Sequence, residues 1–128
     1  MSRDINDLEP ETRALCLAFL EAAKTKGYNV IITATYRSFA EQDALYAQGR
    51  TKPGQRVTNA RGGQSNHNYR VAFDMCPLDA AGKADWNNAA AFKALGAIGE
   101  SVGLSWGGRW KSFPDMPHFE KKGFVRPS

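Results

Sequence analysis

"SNHNYRVAFDM", Ser65 to Met75, is the stretch on which the reading of this chain turns. Its second half alternates, with Val71 and Phe73 on one side and Ala72 and Asp74 on the other, as a half-buried strand does. A histidine, His67, precedes that acid by seven residues. The chain holds two histidines; the other, His118, lies in "FPDMPHFE" with Asp115 three residues before it. Either these four side chains are unrelated surface polars, or the fold gathers them into one site.

Working outward from that strand, "YNVIITATY" upstream is rich in β-branched residues and reads as a buried strand. Ahead of it a helix should begin near Pro10, with proline tolerated in the first turn and Glu11 at the positive end of the dipole. Leu15, Ala18, Phe19 and Ala22 fall at helical spacing, and Gly27 is the expected stop. Ser38 and Glu41 have capping-box spacing, so a short helix should span Phe39 to Ala47. From Gln48 to Asn66 the chain is polar, contains Gly54, Gly62 and Gly63, and has no period. A loop of that length in a small domain is usually functional or mobile.

Downstream, Phe92, Leu95, Gly99 and Val102 form one packing stripe on a helix predicted from Asn87 to Val102. The tail reads as two short strands around a glycine-rich turn. The expectation is an α+β fold: one domain over residues 1–128, with a small antiparallel sheet flanked by helices and the candidate site at the sheet.

At 128 residues and 14.1 kDa the chain is long enough to bury a core. No run approaches the length of a membrane span. The opening "MSRDINDLEPETR" lacks the apolar centre of a secretory signal, so cytoplasmic synthesis is expected, with any extracytoplasmic work requiring release by another route. Seventeen Lys and Arg against 13 Asp and Glu give +4. That balance suits anionic partners, but the basic residues are scattered and no nucleic-acid partner is expected. Cys16 and Cys76 lie in apolar contexts without the close pairing of a metal or redox motif, and are expected as buried free thiols.

His67, Asp74 and His118 have the chemistry of metal ligands. Zinc accepts imidazole nitrogen and carboxylate oxygen, and catalytic zinc keeps three protein ligands and one open position. Asp115 as a fourth ligand would fill that position; it is better suited to carry a proton between water and a leaving amine. Pro114 and Pro117 would stiffen its segment. Spacing alone leaves this reading evenly matched with unrelated surface polars.

The motifs together do more. "SNHNYRVAFD" resembles the Ser-x-His-x6-Asp motif of the zinc peptidoglycan peptidases, which include D-Ala-D-Ala carboxypeptidases and L-alanyl-D-glutamate endopeptidases. "DMPHFE" resembles their second motif, "ATYRSFAEQDALYAQGR" is similar to a substrate-facing segment, and "WGGRWKSFPDMPHFE" looks like the phage endolysin branch. The resemblance runs from about Leu8 to Phe119, with the motifs in the family's order.

It implies one Zn2+ held by His67, Asp74 and His118, with Asp115 as the general base and Arg37, Gln42 and Ser65 toward the substrate. Gln42 could equally be a solvated helix residue, and Trp106 and Trp110 could line a cleft or fill the core. The implied activity is hydrolysis of the L-Ala–D-Glu bond of the peptidoglycan stem by a monomeric lysin without a separate wall-binding domain. A D-Ala-D-Ala carboxypeptidase and a non-catalytic zinc-containing wall-binding module are the alternatives. The carboxypeptidases commonly carry Glu where this chain has Asp115, which favours the endolysin branch.

Overall fold

A computed structural model describes residues 1–127. The first helix, α1, spans Pro10–Thr25, opens with proline in its first turn and ends ahead of Gly27 at φ +87°. Its cap is a residue the sequence did not single out. The Glu9 carboxylate accepts the backbone N–H groups of Thr12 (2.6 Å) and Glu11 (3.2 Å). Burial pushes the Glu9 carboxyl up, but these bonds and that from the Thr12 hydroxyl outweigh it and hold the group below its usual range. A depressed folded pKa gives stability that is present above the unfolded value and lost as pH falls through the folded one. Glu9→Ala should therefore cost about 1 kcal/mol at pH 7, with the difference from wild type shrinking in urea melts taken below the ordinary glutamate value of 4.5.

The buried stripe of α1 is Thr12, Cys16, Phe19 and Ala23. This corrects the expected one: Ala18 is exposed, and Leu15 and Ala22 are only partly buried. Cys16 and Phe19, both fully buried, sit at the centre of the observed stripe. Both cysteines are free and buried, and burial pushes the Cys16 thiol up to about 12.

Strand β1 (Val30–Ala34) leads to α2 (Phe39–Ala47), where both halves of the Ser38–Glu41 capping box are formed. Next come a 3-10 turn at Asn66–Tyr69, β2 (Ala72–Pro77), α3 (Ala89–Ser101), β3 (Leu104–Trp106) and β4 (His118–Lys121). Strand β2 starts only at Ala72, because Arg70 takes a left-handed conformation (φ +64°) that closes the turn ahead of it. The four strands form one antiparallel sheet in the order β1-β2-β4-β3.

Pleating sorts the two faces. Phe73 and Phe119, a cross-strand pair, turn inward against Phe19 of α1, with ring centroids 4.8–6.0 Å apart. Phe92, Leu95 and Ile98 of α3 join that core. The other face carries Asp74 of β2 directly opposite His118 of β4. Helix α3 approaches the core rings closely: a Cβ on Gly96 would run into the Trp106 indole, and one on Gly99 into the Phe119 ring. Gly99→Ala should destabilise the fold by about 1–3 kcal/mol through overpacking, despite alanine's better helix propensity, as read by denaturant midpoint.

Candidate metal centre

Three chain segments deliver the candidate ligands. His67 rides the 3-10 turn whose N-cap is Ser65, with the Ser65 hydroxyl accepting the His67 backbone N–H at 3.3 Å. Asp74 and His118 are opposed across the β2–β4 ladder, and an antiparallel pair of this kind brings side chains together without any loop. His67 Nε2 lies 3.3 Å, and His118 Nδ1 3.1 Å, from the same atom, Asp74 Oδ1. One nitrogen or oxygen donor from each residue falls within 4.8 Å of the others.

The far nitrogen of each ring is also engaged. His67 Nδ1 lies 2.8 Å from the Thr35 carbonyl, and His118 Nε2 lies 2.7 Å from Glu120 Oε1. Both partners can only accept, so each far nitrogen carries the proton and donates it. The near nitrogens, Nε2 of His67 and Nδ1 of His118, are then the ones whose lone pairs can meet a cation beside Asp74. This is the arrangement that metal-bound histidines adopt, and the donor set fits a divalent ion. The Thr35 carbonyl is placed just past a register shift in β1 between Ile32 and Ala34, a local rearrangement typical of strands beside functional sites.

Electrostatics agree with the geometry. Burial would push the Asp74 carboxyl up, but protons at the two near nitrogens, in the place a cation would take, donate to it and with their charge hold it well below the usual carboxylate range. Burial would likewise lower His118, yet Asp74 and Glu120 raise it to about 9. The pocket is therefore built to hold positive charge. Asp115 moves the other way: burial and then the Asp74 charge raise its carboxyl, against the opposing pull of His118, His67 and Arg37. Its backbone is fixed at both ends, the N–H donating to the Gly107 carbonyl (3.0 Å) and the carbonyl accepting from the His118 N–H (3.2 Å).

Arg37, Ser65, Asp115 and the three candidate ligands line one cleft of about 520 Å³. The Arg37 N–H donates to the His67 carbonyl at 3.2 Å, and Arg37 Nη1 donates to Gln42 Oε1 at 2.8 Å. Its Nε is buried without a partner among the described residues. Burial lowers the Arg37 guanidinium, opposed by Asp74, Glu41 and Asp115. Gln42 is fully buried, which excludes the solvated reading. Its Nε2 donates to the Ala60 carbonyl at 2.8 Å, so it stands behind Arg37 and ties α2 to the long loop.

The two tryptophans divide. Trp106 is buried, its indole N–H donating to the Met116 carbonyl, whereas Trp110 lines the cleft with its ring centroid 5.1 Å from that of His118. A second groove of about 760 Å³ shares Thr58, Trp110, Asp115 and Arg126 with the first and adds Arg56 and Phe113. Glu120, Asn66 and Arg126 were not singled out in the sequence. The His-Phe-Glu spacing of β4, which puts Glu120 on the face of His118, is the signal that could have found the first of them.

A family model described as D-alanyl-D-alanine carboxypeptidase matches residues 58–121. The peptidoglycan L-alanyl-D-glutamate endopeptidase CwlK of Bacillus subtilis (strain 168) is 42% identical over an alignment 123 residues long, which covers 90% of this chain and 74% of CwlK. An L-alanyl-D-glutamate peptidase of Listeria phage A118 is 29% identical over an alignment 126 residues long, which covers 94% of this chain but 41% of that protein. Among solved structures, the Serratia marcescens L-Ala D-Glu endopeptidase ChiX shares the fold, with a TM-score of 0.69 at 19% identity over 91% of this chain and 82% of ChiX.

Proposed function

The chain belongs to the peptidase M15 family and is a cell-wall metallopeptidase, and on that premise we propose that it is a zinc-dependent L-alanyl-D-glutamate endopeptidase of the peptidoglycan stem peptide. The observation that carries the metal reading is that both far nitrogens lie against acceptor oxygens, which turns the two near nitrogens and the Asp74 carboxylate toward one point. The observation that favours an endopeptidase over a carboxypeptidase is the groove that continues past Asp115. A substrate with chain on both sides of its scissile bond can lie in it, and a terminal dipeptide has no need of it. The 42% identity to CwlK points the same way.

In this reading His67 Nε2, Asp74 and His118 Nδ1 would hold one Zn2+. When bound, the ion supplies Lewis acidity, polarising the scissile carbonyl and making water acidic enough to attack near neutral pH. Asp115 accepts the proton of the attacking water and passes it to the departing D-Glu nitrogen, a task that its raised carboxyl suits. Arg37, with a buried N–H in want of an acceptor, takes a stem-peptide carboxylate and so orients the amide. Gln42 steadies Arg37, and Ser65 fixes the turn that presents His67.

The biological setting proposed is that of a phage-type endolysin, a monomeric catalytic domain acting on peptidoglycan after release from the cytoplasm. Its support is the phage relative; the B. subtilis relative supports wall remodelling by a bacterium as the second reading. Among the described residues no helix is long and apolar enough to cross a membrane.

Mass spectrometry of digested muropeptides tests the chemistry. The expected product is a fragment with a new D-Glu amino terminus, lost when a chelator is present. Release of terminal D-Ala alone would replace the proposal with the carboxypeptidase, and absence of any cleavage by zinc-loaded protein would leave the wall-binding module.

A further inference from the structure

One face of β4 holds more than the ligand. His118 and Glu120 alternate with Phe119, so pleating points both toward the site while Phe119 enters the core. Both oxygens of Glu120 are engaged: Oε1 accepts from His118 Nε2 at 2.7 Å, and Oε2 accepts from Asn66 Nδ2 at 2.9 Å. Asn66 is itself buried, 6% exposed, and its own carbonyl accepts from Arg126 Nη1 at 3.0 Å. A chain of three hydrogen bonds therefore runs from Arg126, at the wall of both grooves, through Asn66 and Glu120 to the imidazole of His118.

We infer that Glu120 is a positioning residue of the metal centre, fixing the His118 ring so that Nδ1 faces the ion, with Asn66 and Arg126 holding the carboxylate in place. The inference rests on the metal reading given above. A lone imidazole can rotate or present either nitrogen. With Nε2–H committed to a carboxylate, only Nδ1 is left to donate, and the neighbouring negative charge makes it a stronger donor. The segment that carries Asn66 also carries His67, so one short turn supports both histidines: His67 directly, and His118 through Glu120. The side-chain amide can serve only one way round here, donating to Glu120 and accepting from Arg126, which fixes the direction of the whole chain.

The experiment is a Zn2+ competition titration against a chromophoric chelator for wild type, Glu120→Gln, Glu120→Ala and Asn66→Ala, with the visible spectrum of each Co2+-loaded protein. Glu120→Ala should bind zinc about 10–100-fold more weakly than wild type. Glu120→Gln, which keeps an acceptor for the His118 N–H but loses the charge, should fall in between, and Asn66→Ala should shift in the same direction. The cobalt spectrum should change most in Glu120→Ala, an effect that a merely structural residue would not produce. If Glu120→Ala and Glu120→Gln both bind zinc as wild type does with unchanged cobalt spectra, the inference fails while the metal centre stands. If wild type itself takes up no zinc, the metal reading fails, and the inference with it.

Discussion

Asp115→Asn is expected to lower the rate of muropeptide cleavage by about 10²–10⁴-fold while zinc content stays at the wild-type level. Asparagine matches aspartate in shape and can still meet the Gly107 and His118 backbone contacts that fix this position, so the local fold should persist. What it cannot do is accept a proton. Asp115 stands in the cleft beside the three candidate ligands, and its carboxylate makes no hydrogen bond to another described side chain, which leaves it open to solvent and substrate. Its raised carboxyl makes it a better base for water and, once protonated, a competent acid for an amine. Initial rates on purified muropeptides with metal analysis of the same samples check the claim. A variant that loses zinc would make Asp115 a ligand instead, and one that keeps its rate would remove it from the chemistry.

The local pattern was enough to find most elements, because each is bounded by chemistry that acts within a few residues. Pro10, the Ser38–Glu41 box and the alternation around Phe73 are all of that kind. The order β1-β2-β4-β3 is not, since it inserts the last strand between two earlier ones, and only the finished core says which strands meet. The polar stretch from Gln48 to Asn66 shows no period for a related reason. It is held by side chains bonding backbone at a distance, such as Arg50 to the Thr58 carbonyl and Gln42 to that of Ala60, and neither leaves a mark in hydropathy.

The site divides in the same way. His67, Asp74 and His118 stood out because histidine is rare here and an acid inside an apolar strand is costly unless it has partners. Glu120 carries a weaker mark: its spacing puts it on the face of His118, but a glutamate near a chain's polar tail reads as one more solvated charge. Trp106 and Trp110 were indistinguishable until the 3-10 turn at Gly107–Arg109 sent one indole into the core and left the other over His118. The glutamine behind Arg37 was ambiguous for lack of the same tertiary information.

Asp74→Asn is expected to abolish the response of folding stability to zinc. Asp74 is the one anion among the three candidate ligands, and both histidines approach the same oxygen of it. An amide in its place keeps the size but removes the charge that opposes a divalent cation, and affinity should fall by roughly 100-fold or more, beyond the effect of losing a supporting contact. A ligand that binds only the folded state at about 100 times its dissociation constant adds about 2.7 kcal/mol of stability. For a chain of this size that corresponds to a melting temperature higher by on the order of 10 °C. Wild type should show that rise when zinc is added and lose it to a chelator, whereas Asp74→Asn should melt at one temperature in both conditions. His118→Ala should behave alike, because it removes a lone pair from the same point. Should Asp74→Asn still gain the full zinc-dependent shift, the carboxylate would not be holding the ion, and the convergence of His67 and His118 on it would be an ordinary buried ion pair.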